Sequence, residues 1–284
     1  MDNACRESIL VFSKKNCCAS LFTLEVKRNG KTIISKQIER NILSENIVRQ
    51  EVREDGLVGT LFRPYSGSEV PAILVLGESD GGLDETTASL LAYHGYATLA
   101  LSYFKHEKLP ITLTEIPLEY FQKALSFLRN QDEINEKKIG VFGRSKGGEL
   151  SLLLGSIFPE ISFVISHTGG GVVFQGIGLK QNRITSSWSM GGIPLPFTKL
   201  SFLRNPLFLL SLFKKKVRRQ PPSFLSLYEK ALEKLRDNHP SIIPVENIKG
   251  PVLLISGTND LVWPSTMMAE RVIQQFKKKI SLSS

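Results

Sequence analysis

From Val70 onward the chain sets short, uninterrupted apolar runs against longer segments of helical periodicity, and that alternation limits what it can fold into. Residues 71 to 76 (PAILVL), 96 to 102 (YATLALS), 138 to 142 (KIGVF), 161 to 166 (ISFVIS) and 252 to 256 (VLLIS) lack the polar alternation of a strand with one wet face. Strands of that kind are buried on both sides. Between them, Leu90 and Leu91 lie on a helix stopped by Gly95, and Phe121, Ala124, Leu125 and Leu128 recur at helical spacing. The expectation is an α/β fold with a mostly parallel sheet and helices on both faces.

Two regions break the pattern. Residues 20 to 64 read as short strands, with Asn29-Gly30 as a hairpin turn. The stretch from about 168 to 249 is far longer than the few residues that usually join a strand to a helix, so it reads as a cap insertion. Residues 1–55 are therefore expected to form a partial β-rich N-terminal segment, and residues 56–284 the α/β domain.

The three cysteines (Cys5, Cys17, Cys18) precede the presumptive core, which points to a reducing, cytoplasmic setting. The apolar stretch Pro206–Phe213 is about a third of the ~20 residues a membrane span needs, so no membrane span is expected. The net charge of +9 is concentrated in short runs such as Lys214–Arg219, which reads as a solvated face and not a nucleic-acid stripe. The sequence calls for no cofactor and no metal.

The chemistry converges on Gly143-Arg144-Ser145-Lys146-Gly147, a G-x-S-x-G motif between the run ending at Phe142 and the helix opening GGELSLLLG. A sharp strand-to-helix turn of this kind holds a nucleophilic hydroxyl exposed. Ser145 is the expected nucleophile. Oxyanion donors are expected from the backbone N–H of Lys146 and from the loop Gly77-Glu78-Ser79-Asp80-Gly81-Gly82, taken at Ser79. Asp260, just past the last apolar run, is placed to orient an imidazole, with a turn-forming aspartate as the alternative. No histidine follows Asp260 in the sequence. His94 reads as a helix cap and His239 as part of the insertion, while His106 and His167 follow strands and are weaker substitutes for the base.

These residues resemble the family of acyl-CoA thioesterases and bile acid-CoA:amino acid N-acyltransferases, over roughly residues 56 to 279. The resemblance rests on Gly59-Thr60-Leu61-Phe62 with Pro64, on residues 88 to 104 (ASLLAYHGYATLALSYF), on Glu119-Tyr120-Phe121, on GRSKGGEL around Ser145, and on Gly257 with Asp260 and Trp263. It implies an α/β-hydrolase fold, preceded by a short β remnant of an immunoglobulin-like domain, and an acyl-CoA thioester as substrate. It also implies that a Ser, or in the N-acyltransferases a Cys, takes up the acyl group. Ser145 points to hydrolysis. In the family pattern a further strand, a histidine loop and a helix follow, which this sequence is expected to lack, impairing activity. The lysine run at 277–279 is a candidate site for a shifted reading frame. A carboxylesterase or dienelactone-hydrolase-like enzyme and a non-catalytic remnant are the other readings. The apolar stretch Phe197–Phe213 is expected to line an acyl tunnel, and the basic run at 214–219 is a weaker candidate for the CoA phosphates.

Overall fold

The computed structural model describes residues 20–40, 43–65, 68–201, 208, 210 and 223–283. In chain order the elements are β1 (Ser20–Arg28), β2 (Lys31–Arg40), β3 (Ile47–Val52), β4 (Val58–Pro64), β5 (Val70–Leu76), α1 (Glu85–Tyr93), β6 (Ala97–Ser102), β7 (Ile116–Pro117), α2 (Leu118–Arg129), β8 (Ile134–Arg144) and α3 (Lys146–Ile157). They continue with β9 (Phe163–His167), β10 (Trp188–Met190), β11 (Ile193–Pro194), α4 (Leu225–Glu233), β12 (Val252–Ile255) and α5 (Ser265–Ser283).

Seven strands form one sheet in the order β12-β9-β8-β5-β6-β4-β3. Strands β6, β5, β8, β9 and β12 run parallel, and β4 and β3 add an antiparallel margin. The uninterrupted apolar runs are explained by cover on both sides. Leu74, Leu99, Leu101 and Val141 pack against α2 and α3, whereas Ile73, Val75, Ala100 and Phe142 pack with Ala88 and Ala92 of α1. This is the α/β-hydrolase architecture.

Helix α1 begins where Asp84 accepts from the Thr87 amide at 3.1 Å, and it ends at His94, after which Gly95 takes a positive φ of 91°. On α2, Leu118, Phe121, Ala124, Leu125 and Leu128 form the buried stripe. Helix α3 is buried along most of its length. It can be, because it lies between the sheet and the insertion.

At the N-terminal end, β1 and β2 pair through the Asn29-Gly30 turn, whose two residues both have positive φ. Strand β3 pairs with β4, so the main sheet starts at Ile47, ahead of the expected boundary at residue 56. The insertion carries short strands of its own. Strands β10 and β11 form a small sheet with β7, tying the insertion to the start of α2. A separate apolar cluster of Val172, Phe174, Leu200, Leu232, Trp263 and Met268 packs the insertion onto the loop after β12 and onto α5.

Candidate active site

Ser145 sits between β8 and α3 with φ 55° and ψ −117°, a conformation that L-residues avoid and that stores roughly 1–3 kcal/mol. The surrounding glycines show why the chain tolerates it. A Cβ on Gly143 would overlap the Gly147 carbonyl, and one on Gly147 would lie 2.5 Å from the Gly77 oxygen and 2.8 Å from that of Leu76. The elbow is therefore packed backbone to backbone against the start of the 77–82 loop. The Ser145 amide donates to His167 O at 2.9 Å, and the Glu149 amide donates to Ser145 O at 3.1 Å.

The 77–82 loop is fixed from two sides. Tyr103 Oη donates to Gly77 O at 2.7 Å from a buried position, and the Arg144 guanidinium pairs with Glu78 across the mouth, with Asp84 at 3.8 Å. Burial, followed by the nearby carboxylates of Glu149, Asp80 and Glu78, pushes the Tyr103 hydroxyl well above its ordinary range, so it stays a donor. Ser79 is exposed at the loop tip.

Asp260 lies past β12, two strand positions from β8, which at about 4.8 Å per strand places its loop roughly 10 Å along the same sheet edge. Its Oδ1 accepts from the Val262 amide at 2.9 Å and the Trp263 amide at 3.3 Å. The carboxylate thus organises its own turn, as the alternative reading of this residue expected. Of the four imidazoles, three lie elsewhere and one, His167, ends the strand beside the elbow. His94 closes α1, His239 Nδ1 lies 2.7 Å from Ser241 Oγ, and His106 lies 3.6 Å from Glu107. His167 ends β9 in register with Arg144, beside Phe142. Burial, then the Arg144 charge, lowers its pKa, with Glu78 opposing.

Residues 116–281 match the family model described as BAAT / Acyl-CoA thioester hydrolase C terminal. The chain belongs to this family. Among curated relatives, acyl-coenzyme A amino acid N-acyltransferase 2 of Rattus norvegicus is 31% identical over 243 residues, covering 86% of this chain and 53% of the relative. Acyl-coenzyme A thioesterase 6 of Homo sapiens is 30% identical over 242 residues, covering 85% and 52%. The chain spans about half the length of the curated relatives it matches. A hypothetical protein from Pseudomonas aeruginosa shares the fold, with a TM-score of 0.52 at 17% identity, covering 82% of this chain and 84% of that one.

The family-matched segment contains Ser145, Lys146 and Asp260, and it contains a feature the sequence reading missed. Lys146, assigned for its amide, turns its side chain inward. Its Nζ donates to Glu149 Oε1 at 2.7 Å and Oε2 at 2.8 Å, and both residues are buried. Glu149 also accepts from Trp188 Nε1 at 2.9 Å and from the Phe174 amide at 3.4 Å. Burial raises the Glu149 pKa and lowers that of Lys146, and each partner's charge opposes the shift of the other. The signal was legible as a Lys and a Glu three apart in a helix that carries no other charge and is buried along most of its length, where a charge has to be paired.

A cavity of about 1060 Å³ opens on the insertion, lined by Leu195, Phe197, Leu227, Ala231 and Leu235 with Lys199, Lys230 and Lys234. Of the expected tunnel stretch Phe197–Phe213, Phe197 lines this cavity and Leu200 joins the apolar cluster with Trp263. Residues 202–207, 209 and 211–222, including the basic run at 214–219, lie outside the described residues, as do the three cysteines. Among the described residues no helix is long and apolar enough to cross a membrane.

Proposed function

We propose that this chain is built to hydrolyse acyl-CoA thioesters through an acyl-serine, with Ser145 as nucleophile. The observation that carries the reading is the Ser145 backbone at φ 55°, held at the strand-to-helix turn by Gly143 and Gly147. The Ser145 hydroxyl attacks the thioester carbonyl. The developing oxyanion takes hydrogen bonds from the Lys146 amide and from an amide of the 77–82 loop at Ser79, and the CoA thiolate leaves. Water then releases the acid from the serine ester. The relatives named as acyl-coenzyme A thioesterases support the substrate class.

The proton of Ser145 needs a base, and Asp260 is the acid that would orient it. Among the described residues Asp260 Oδ1 is held by the Val262 and Trp263 amides, so added imidazole tests whether a base is already in place beside Ser145. The test is thiol release from acyl-CoA, measured beside nitrophenyl ester hydrolysis, with Ser145→Ala as control and with added imidazole as a surrogate base. Ser145-dependent thiol release that rises with imidazole is expected. Faster ester than thioester cleavage favours a carboxylesterase, and the absence of any Ser145-dependent reaction leaves a non-catalytic hydrolase fold.

A further inference from the structure

The Glu149 carboxylate lies beneath the elbow, with no exposed surface, and the chemistry proposed above leaves it without a task. Its donors come from two places. Lys146 belongs to the first turn of α3, whereas the Trp188 indole and the Phe174 amide belong to the insertion. Lys146 Nζ also reaches Phe174 O at 3.5 Å and lies 5.6 Å from the centre of the Trp188 ring. The insertion and the elbow therefore share one buried, charged junction.

We propose that Glu149 is a positioning residue that couples docking of the part of the insertion around Phe174 and Trp188 to the aim of the Lys146 amide. The proposal rests on the reading of Ser145 as nucleophile and of that amide as an oxyanion donor. Glu149 grips the turn twice, through its own amide on Ser145 O and through its carboxylate on the Lys146 ammonium. A strained φ such as that of Ser145 persists only where the surroundings over-determine it. When Trp188 and Phe174 withdraw, the carboxylate loses two donors, water reaches the pair, and the long Lys146 side chain is drawn toward solvent. Residue 146 then loses its anchor, and the amide loses its fixed direction. The oxyanion site is complete only with the insertion seated.

The test uses the full chain and a fluorophosphonate probe that labels the elbow serine. Trp188→Phe keeps an aromatic ring and removes the N–H, and Lys146→Met/Glu149→Leu replaces the charged pair by apolar side chains of similar length. Both variants are expected to lower the maximal rate of Ser145 labelling about tenfold, with the probe's binding constant unchanged. Amide hydrogen exchange at residues 172–176 is expected to speed up, with exchange in β6 unaltered. Leu128→Ala, a core change on α2, is the control, lowering Tm without altering the labelling rate. Wild-type labelling rates in both variants would overturn the proposal, even if exchange speeds up. If the wild-type chain takes no label at Ser145, the nucleophile reading fails. The tie between insertion and elbow is then judged by exchange alone, and unchanged protection at 172–176 in Trp188→Phe overturns that too.

Discussion

The centre of the sheet and its β12 edge carry the two halves of one candidate site in opposite ways. At the centre, between β8 and α3, backbone meets backbone at Gly143 and Gly147, and the polar groups beneath are buried and partnered. At the edge, β12 pairs with β9 alone among the described residues, and Leu253 and Ile255 on the α1 face are 53% and 42% exposed. Asp260, just beyond, spends its carboxylate on its own loop. The opposite edge, β3, also has no further strand beside it among the described residues, but it presents Arg49, Gln50 and Glu51 to solvent. Charged side chains protect an edge from pairing with another chain, and β12 has no such guard. The lesson is that the geometry of Ser145 is set by local crowding, whereas the position of Asp260 depends on how an under-covered margin is held.

Changes at the centre should do the most damage. Gly143→Ala drives a Cβ into the Gly147 carbonyl, so α3 must shift off the elbow, and a loss above about 4 kcal/mol is expected in urea unfolding. Unchanged stability would mean that the elbow yields far more easily than its packing indicates. Glu149→Ala leaves the Lys146 ammonium buried without its partner, which should cost about 3–5 kcal/mol. Replacing both members by apolar residues should recover most of that loss, and a double-mutant cycle by denaturation measures the difference.

The same contrast sets what sequence could reveal. The five buried runs, the elbow at Ser145 and the Asn29-Gly30 turn announce themselves through local pattern, and the structure places each where that pattern puts it. The role of Glu149 was hidden because its partners Trp188 and Phe174 lie 39 and 25 residues away, joined only when the insertion folds over α3. Strands β10 and β11 were missed for a related reason. They are three and two residues long, too short for alternation to show, and exist through the pairing of β10 with β7 and of β11 with β10. Asp260 was singled out by position alone, and what the structure shows of it is Oδ1 accepting from the Val262 and Trp263 amides, the bonding of a turn aspartate.

Between centre and edge stands His167 at the end of β9. Its pKa is lowered, first by burial and then by the Arg144 charge, so between its folded pKa and the unfolded value of about 6.5 the unfolded chain holds more protons. Stability is full above that window and falls as the pH drops through it. His167→Gln should flatten the slope of Tm between about pH 7.5 and 5 relative to the parent chain. Parallel slopes would show that His167 is hydrated in the folded state. At the edge itself, Leu253→Lys with Ile255→Lys should shift stability by no more than about 0.5 kcal/mol while reducing self-association in sedimentation, because the charges give β12 the guard that β3 already has.

The smallest expected change in stability is also the one that separates the two readings of Asp260. Its Oδ1 is an acceptor for two loop amides, and an asparagine oxygen can accept in the same place, so Asp260→Asn should alter stability by no more than about a few tenths of a kcal/mol. Asp260→Ala removes the acceptor and should cost about 1 kcal/mol. A residue that only shapes the turn would leave imidazole-assisted thiol release unchanged in the asparagine variant, since the loop is intact. A residue that also steadies a positively charged imidazole must carry its own negative charge. The amide cannot supply that, and in a working triad the same exchange lowers turnover by about four orders of magnitude. With free imidazole as the base the orientation is already partly lost, so a smaller drop, on the order of tenfold, is the expected signature. Equal rates for the parent chain and the Asp260→Asn variant at matched stability would leave the carboxylate as a loop former and move the acid's role to another group.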